Sequence, residues 1–467
     1  MSNQIQDDYS EVYQRLPLKI NLAYSMGHVL NDVCASMWFT YLLVFFHLVL
    51  EFDNWQAGCL LLVGQVADAL ATPFIGYHSD QGDNFYCCIY GRRKIWHLIG
   101  TVCVLLTFPF IFSPCIGCET SSTTARMVYY SMFIIIFQFG WAAVQIAHLS
   151  LIPELTPNQH DRTRLTASRN VLTVIANVLV YLVTWGVLHL SSENDTKIGP
   201  GDETKFQHIV WAVMAFGLVC SVLFHVFVKE SWTTNGPRDV RGTIMRTSVR
   251  DLLTNVRVYH IAVIYMASRL FVNLTQVFIT LYLHEALDMV ASSLALVPLA
   301  MYIASFATSF IVEPINRCAN RKTSFLLGSS LGLIACLWIR WGQGQEYTSY
   351  YIYAVGALLG ASGSIITVSS LDITTDLIGD NTDSGAFIYG IMSFVDKLSN
   401  GVVVEVIQWL HDDQTNLWYY RDVLTDVCGG AIILGAFAVM VLRKRRDNVT
   451  KSREDLCVDG CSSIAAN

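Results

Sequence analysis

Charge is what this sequence has least of. Only 14% of its 467 residues are Asp, Glu, Lys or Arg, against roughly 25% in an ordinary soluble domain. No soluble fold of this length needs so few charges, and a net charge of −7 offers nothing to nucleic acid. Also missing are a nucleophile–base–orienter set, a glycine-rich phosphate loop and a His/Cys cluster with metal-ligand spacing. No enzyme, cofactor or metal site is therefore expected. The first sixteen residues are polar and the first apolar run is far too long for a leader core, so no cleavable signal peptide is expected.

What fills the chain instead is apolar sequence in long blocks, such as Trp96–Phe112, Tyr130–Ile152 and Gly429–Leu442, with 53% of residues hydrophobic overall. A bilayer core of roughly 30 Å takes about twenty apolar residues as helix, because only a helix satisfies its own backbone there. The pattern predicts spans near 18–49, 55–79, 95–114, 127–153, 168–190, 208–229, 258–284, 291–314, 323–342, 347–376, 385–410 and 422–442. The long polar stretch from Lys229 to Arg257 divides them six and six. The expected organisation is a tail over 1–17, a six-helix bundle over 18–229, a loop over 230–257, a second six-helix bundle over 258–443 and a tail over 444–467. A site between the two bundles follows from that plan.

Basic residues set the orientation. With the N-terminus in the cytosol, 23 of the 30 Lys and Arg fall on that side, five fall opposite, and Arg269 and Lys397 lie inside spans. Both tails are then cytosolic. The sequon Asn194-Asp195-Thr196 falls on the lumenal or extracellular side, open to glycosylation, whereas Asn448-Val449-Thr450 stays cytosolic.

Ionisable groups inside spans are costly and hence functional candidates. Span 1 carries His28 and Asp32 one turn apart, and span 2 carries Gln65, Asp68 and Thr72 at the same spacing. Span 4 presents Gln138, Trp141, Gln145 and His148 as a stripe; span 7 has Arg269, Asn273 and Gln276. Asp372 and Asp376 close span 10, and span 11 holds Asp396, Lys397 and Asn400. Plainer roles stand beside these: His47 and His97 as interfacial or packed residues, Trp141 as helix packing, and Asp372, Asp376 and Asp396 as helix-end or gate charges. Asp32, Asp68 and Lys397 fall mid-span, where snorkelling is hardest.

Loop 2–3 reads Thr72-Pro73-x2-Gly76-x3-Asp80, then Gly91-Arg92-Arg93-Lys94-x-Trp96. This resembles the sugar–cation (glycoside–pentoside–hexuronide) symporter branch of the major facilitator superfamily. The resemblance implies an all-α fold of twelve membrane helices in two six-helix bundles, and a cytosolic gate at Asp80, Arg92, Arg93, Asp372 and Asp376. It implies a substrate-binding aspartate at Asp32 in Tyr24-x2-Gly27-x4-Asp32, a cation-site aspartate at Asp68, a substrate arginine at Arg169 and the span 11 lysine at Lys397. The basic residue usual in loop 10–11 of that branch is missing from Ile378–Gly385, and two site positions depart as well. The branch's second cation-site aspartate is Thr72 here and its span 4 carboxylate is Gln145, which argues against a sodium site rich in hard oxygens. His28, Asp32, Asp68 and His148 are the candidates for proton coupling instead.

Longer strings, among them Asn31-Asp32-x-Cys34-Ala35-Ser36-Met37-Trp38-Phe39-Thr40-Tyr41 and Ser384-Gly385-Ala386-Phe387, resemble an animal subfamily of cysteine importers of lysosomes and melanosomes that influence pigmentation. That resemblance implies cysteine as the substrate. A zwitterion needs a cation for its carboxylate and acceptors for its ammonium. Arg169, Arg269 and Lys397 offer the first; Asp32, Asp68, Gln145 and Asn273 offer the second. A sugar, with Trp141 as stacking face, and a non-transporting scaffold or sensor are the rival readings. Cys115-x2-Cys118 in loop 3–4 is open to a disulfide or to free thiols. Cys87-Cys88 lies in loop 2–3, where S-acylation is conceivable. Tyr13-Gln14-Arg15-Leu16 fits the Tyr-x-x-apolar pattern read by sorting adaptors, in what reads as an exposed tail.

Overall fold

A computed structural model describes residues 16–80, 90–118, 120–156, 158–190, 197–230, 256–378, 382–411 and 417–442. The described residues contain twelve long helices. They are α1 (Leu18–Val49), α2 (Asn54–Asp80), α3 (Arg92–Ile111), α4 (Thr123–Ser150), α5 (Gln159–Leu190) and α6 (Glu203–Phe227). The second half repeats the series: α7 (Val256–Ala286), α8 (Ser293–Ala319), α9 (Arg321–Trp341), α10 (Ile352–Ile378), α11 (Thr382–Leu410) and α12 (Tyr419–Val441). Eleven of the twelve are long and apolar enough to cross a membrane. The other, α11, carries Asp396, Lys397 and Glu405 along its length, and the first two belong to the site described below. Helix α5 begins nine residues before the predicted span, because Asp161, Arg162 and Arg164 extend it as a polar turn.

Within each half the helices pack on one another; between halves α2 lies along α11, α5 against α8 and α1 against α7. Close approach depends on small residues. A Cβ added to Gly360 on α10 would stand 2.0 Å from the Met301 carbonyl oxygen of α8, a contact with backbone that cannot turn aside.

Two kinds of irregularity matter for function. The first is a break in α1 between Leu18–Met26 and Val29–Val44, at Gly27 and His28. At the break, side chains add bonds to backbone carbonyls inside the protein. His148 bonds the Tyr24 carbonyl at 2.8 Å and His97 bonds the Gly27 carbonyl at 2.9 Å. The second is a set of π turns at Phe45–Val49, Tyr282–Ala286, Tyr347–Tyr351 and Val423–Val427. All four lie at the end opposite the chain tails, here called the far end. Such turns mark functional segments of helices. Those of α1 and α7 are each followed by an acidic residue in the left-handed region, Glu51 (φ 56°) and Asp288 (φ 57°). The offset that takes Glu51 to Asp288 also takes His47 to His284 and Asp32 to Arg269. The two halves are thus repeats, and at one equivalent position within the spans they place opposite charges, Asp32 and Arg269.

At the far end the halves are joined. Thr280 Oγ1 donates to the Thr40 carbonyl at 3.0 Å, Tyr41 donates to the Leu294 carbonyl at 3.2 Å, and His284 bonds the Ile198 carbonyl at 3.0 Å. Asn54 bonds His411 at 2.7 Å, and Lys197 pairs with Asp288. At the tail end, by contrast, charges pair inside their own half. Arg93 meets Glu154 at 3.1 Å and Glu230 accepts from its backbone N–H, while Arg321 donates to the Asp372 carbonyl at 3.1 Å. Arg93 and Asp372, expected to lock the bundles together on the cytosolic side, meet partners of their own half here, Asp372 through its backbone carbonyl. The side chains of Asp80, Arg92 and Asp376 lie outside the described residues.

Candidate functional site: a charged centre between the halves

The centre of the molecule holds three carboxylates and three cations on five helices. In the first half, Asp32 of α1 is buried. Its Oδ1 meets His28 Nδ1 at 2.9 Å and its Oδ2 accepts from Thr173 of α5 at 2.9 Å. Arg169, one turn before Thr173, reaches His28 Nε2 with Nη2 at 2.9 Å. These bonds fix the imidazole's protons. Guanidinium only donates, so His28 Nε2 is the bare acceptor and Nδ1 carries the hydrogen that goes to Asp32. Arg169 Nε is buried with no hydrogen-bond partner. Leaving a charged donor unmatched is costly, so this N–H is open to an incoming acceptor.

The second half shows the mirrored arrangement. Arg269 of α7 donates from Nε to Asp396 Oδ2 of α11 at 3.1 Å, and Asn400, one turn on, donates to Asp396 Oδ1 at 2.7 Å. Acid on α1 faced by arginine on α5 becomes arginine on α7 faced by acid on α11. Tyr302 of α8 interacts electrostatically with both Asp32 and Arg269, so the two clusters share one space.

Between them, Lys397 Nζ lies 2.6 Å from Asp68 Oδ1 and donates to Thr72 Oγ1 at 2.8 Å; Thr72 also donates to Asp68 at 3.1 Å. Asp396, the residue before Lys397 on α11, adds its field to Asp68. This triad joins α2 to α11 across the halves. A lysine that pairs with both Asp32 and Asp68 is the simplest expectation from sequence; the structure gives it to Asp68 and Thr72 and gives Asp32 to His28 and Thr173. The position where the sugar branch has a second cation-site aspartate is thus a hydroxyl that steadies an ion pair.

The remaining predicted residues fall as follows. Gln145 and Asn273 are half-buried on α4 and α7. Trp141 is half-buried, packs edge-on to Phe137 at 5.7 Å, and its carbonyl accepts from Asn31 at 3.0 Å. His148 is fully buried and stacks on Tyr24 with ring centroids 4.1 Å apart. Cys115 and Cys118 are joined as a disulfide. Leu16 is not in a free tail: it is half-buried against the apolar cluster of Ala23, Leu151 and Phe224, and its N–H donates to Asp161 at 3.3 Å. An apolar side chain beside an apolar patch folds onto it. Tyr13 and Asn194 lie outside the described residues. Sequence reasoning missed Asp396 as the partner of Arg269, and Thr173 and Tyr302 as parts of the centre. The match of α1 to α7, visible in the His47/His284 and Glu51/Asp288 pairs, is the signal that could have found Arg269 as the counterpart of Asp32.

Twelve membrane helices in two repeated halves, meeting around balanced buried charges, define a membrane transporter of the major facilitator fold. The chain belongs to the MFS/sugar transport protein family, whose profile matches residues 23–410. It is 41% identical over 453 residues to Major facilitator superfamily domain-containing protein 12 of Homo sapiens, covering 91% of this chain and 93% of the relative. Against the protein of that name from Mus musculus it is 41% identical over 451 residues, with 91% and 94% covered. Among solved structures, the inward-open conformation of the xylose transporter XylE from E. coli superposes with a TM-score of 0.68 at 14% identity, covering 94% of this chain and 99% of that one. At that identity the likeness is one of fold. These are transporters rather than enzymes.

Proposed function

We propose that the protein carries cysteine from the cytosol into the lumen of lysosomes and melanosomes by alternating access, with the tails cytosolic and the far end lumenal. The observation that carries this reading is the Arg169–His28–Asp32 chain. It offers a guanidinium with an unmatched buried N–H beside a carboxylate, the complement of a zwitterion of amino-acid size. The fork of Arg169 suits a carboxylate, and Asp32 is placed for the ammonium. The sequence resemblance to cysteine importers supplies the side chain; the charges alone fit any small amino acid. The sugar reading is less well supported, because Trp141 packs into the core beside Phe137 and a sugar site wants an open aromatic face.

The hydrogen-bond logic also supports a link to protons. A neutral His28 accepts from Arg169; a protonated His28 cannot, since both nitrogens then donate. Protonation therefore releases the Arg169 fork for a substrate carboxylate, and a carboxylate seated there favours the proton on His28. Cysteine and one proton bind together on this account.

The test is uptake of labelled cysteine by proteoliposomes holding the full chain, with xylose and cystine as competitors. Saturable uptake that xylose leaves untouched is expected. Uptake displaced by xylose, or none above empty vesicles, contradicts the reading, the second favouring a scaffold.

A further inference from the structure

The charged cluster of the second half has donors and acceptors left over, and the function proposed above uses none of them. Arg269 lies near the middle of α7, yet its side chain is 32% exposed. Its guanidinium faces Asp396 of α11, Tyr265 of its own helix and Tyr302 of α8, and Tyr302 also faces Asp32. The exposed surface is therefore that of the space between the halves. Asp396 takes the Nε–H of Arg269, at 3.1 Å. Neither Nη group has a hydrogen bond among the described residues. The end of the guanidinium that grips a carboxylate with two parallel N–H groups is thus open.

The acceptor side is also unfinished. Asn400 uses its Nδ2 hydrogens on the Asp396 carboxylate at 2.7 Å and on the Asp396 backbone carbonyl at 2.8 Å. Those bonds fix which end of the amide is oxygen, because both partners only accept. Asn400 Oδ1 is left buried, on a residue 3% exposed, with no partner among the described residues. A buried acceptor without a donor is costly, and an ammonium N–H would satisfy it. Asp396 keeps acceptor capacity on both oxygens for the same group.

Charge balance narrows the ligand. Arg269 and Asp396 cancel, as do Lys397 and Asp68 beside them. A bare anion or cation would leave an uncompensated charge in the interior; a zwitterion would not. An α-amino acid carries its carboxylate and ammonium on one carbon, a spacing that an arginine fork and an adjacent carboxylate can share.

We infer that Arg269, Asp396 and Asn400 form a second α-amino-acid subsite, facing the same space as Arg169 and Asp32. The inference rests on the amino-acid reading of the first cluster and extends it. The second subsite is the weaker of the two. Arg169 Nε is buried and unmatched, whereas the exposed Arg269 fork must first lose its water. Cysteine therefore fills the first cluster before the second. The second then takes another free cysteine at higher concentration, or the far unit of an S-linked dimeric amino acid, which the link holds at high effective concentration.

The test uses the purified full chain and labelled cysteine kept as the thiol under argon. Saturation should show two cysteines per protein, the second bound more weakly by about tenfold or more. Arg269→Gln/Asp396→Asn removes both charges together and strands neither; it should keep the first cysteine and lose the second. Lanthionine, two alanine units joined through one thioether sulfur, cannot exchange with protein thiols and probes the linked source. It should displace cysteine from the wild type at a concentration lower by about tenfold or more than from the double variant. Asn400→Ala leaves every charge paired, should weaken the second binding about tenfold, and serves should the double variant fold poorly. A second cysteine without the lanthionine difference assigns the subsite to a separate molecule, and the difference without a second cysteine assigns it to a linked unit. One cysteine per protein, with lanthionine equally effective on wild type and variants, overturns the subsite and leaves the first cluster standing. A folded double variant that binds no cysteine makes the two clusters one site and overturns it as well. Absence of saturable cysteine binding in the wild type contradicts the amino-acid reading itself, and the subsite falls with it.

Discussion

Arg169→Lys is expected to lower kcat/KM for cysteine by about tenfold to a hundredfold, the loss of one or two hydrogen bonds between charged partners, with protein level unchanged. Lysine keeps the charge but not the fork. It cannot hold His28 Nε2 with one N–H and aim another at a carboxylate in the same plane. The substrate's own groups sharpen the test. Cysteamine, which lacks the carboxylate, should compete poorly with cysteine in the wild type and nearly as well as cysteine in Arg169→Lys. Unchanged kinetics in the variant, or no change in the rank of the two competitors, contradicts the placement of the carboxylate.

The second large effect concerns Lys397 and Asp68, which meet at 2.6 Å across the halves with little exposed surface. Removing one partner of a buried pair strands the other charge, at a cost of about 3–5 kcal/mol, whereas removing both can be neutral. Lys397→Met and Asp68→Asn should each reduce the amount of folded protein sharply. The double variant should restore it. Transport should not return, because the pair must open and re-form as α2 and α11 part. Protein levels measured by fluorescence size-exclusion separate folding from function. A double variant as poor as the worse single one removes the ion-pair account, and a double variant that transports normally makes the pair purely structural.

Much of this was legible in the sequence because the membrane enforces it. A bilayer admits only long apolar helices, so the spans, the break at Lys229–Arg257 and the mid-span charges stand out. Asp32, Asp68, Arg169 and Lys397 were visible as individual candidates. Of their pairings only Lys397 with Asp68 was legible, and it was expected together with Asp32. Which cation meets which carboxylate depends on how α2, α5 and α11 are rotated, and a span pattern carries no such information. Thr72 was read as a lost cation ligand, and only the Lys397 geometry shows what a hydroxyl does there. His97 was read as a packed residue because a lone histidine on an apolar helix usually is one. Its partner His225 lies far along the chain on another helix, and nothing local to either residue announces the other. The break in α1 at Gly27 was hidden for a similar reason: glycine inside a membrane helix is common, and it becomes informative only beside the two histidines that bond the carbonyls there. Leu16 erred the other way, since a four-residue motif ahead of the first span looks free until the patch it covers is known.

The halves also explain how one site can serve two directions. Far-end contacts such as Thr280 to Thr40 and Asn54 to His411 close one side, and the π turns near them provide helix segments able to adjust as those contacts break. Meanwhile Arg93 and Asp372 are held within their own halves.

The central claim is that cysteine takes over the Arg169 fork and His28 then takes a proton. Calorimetric titration of the purified protein with cysteine, repeated in buffers of different ionisation enthalpy, measures this directly. Uptake of about one proton per cysteine bound is expected for the wild type, with affinity that weakens as pH rises. His28→Gln should bind more weakly and show none. A binding heat that does not depend on the buffer in the wild type, or an equal proton uptake in His28→Gln, would contradict the account.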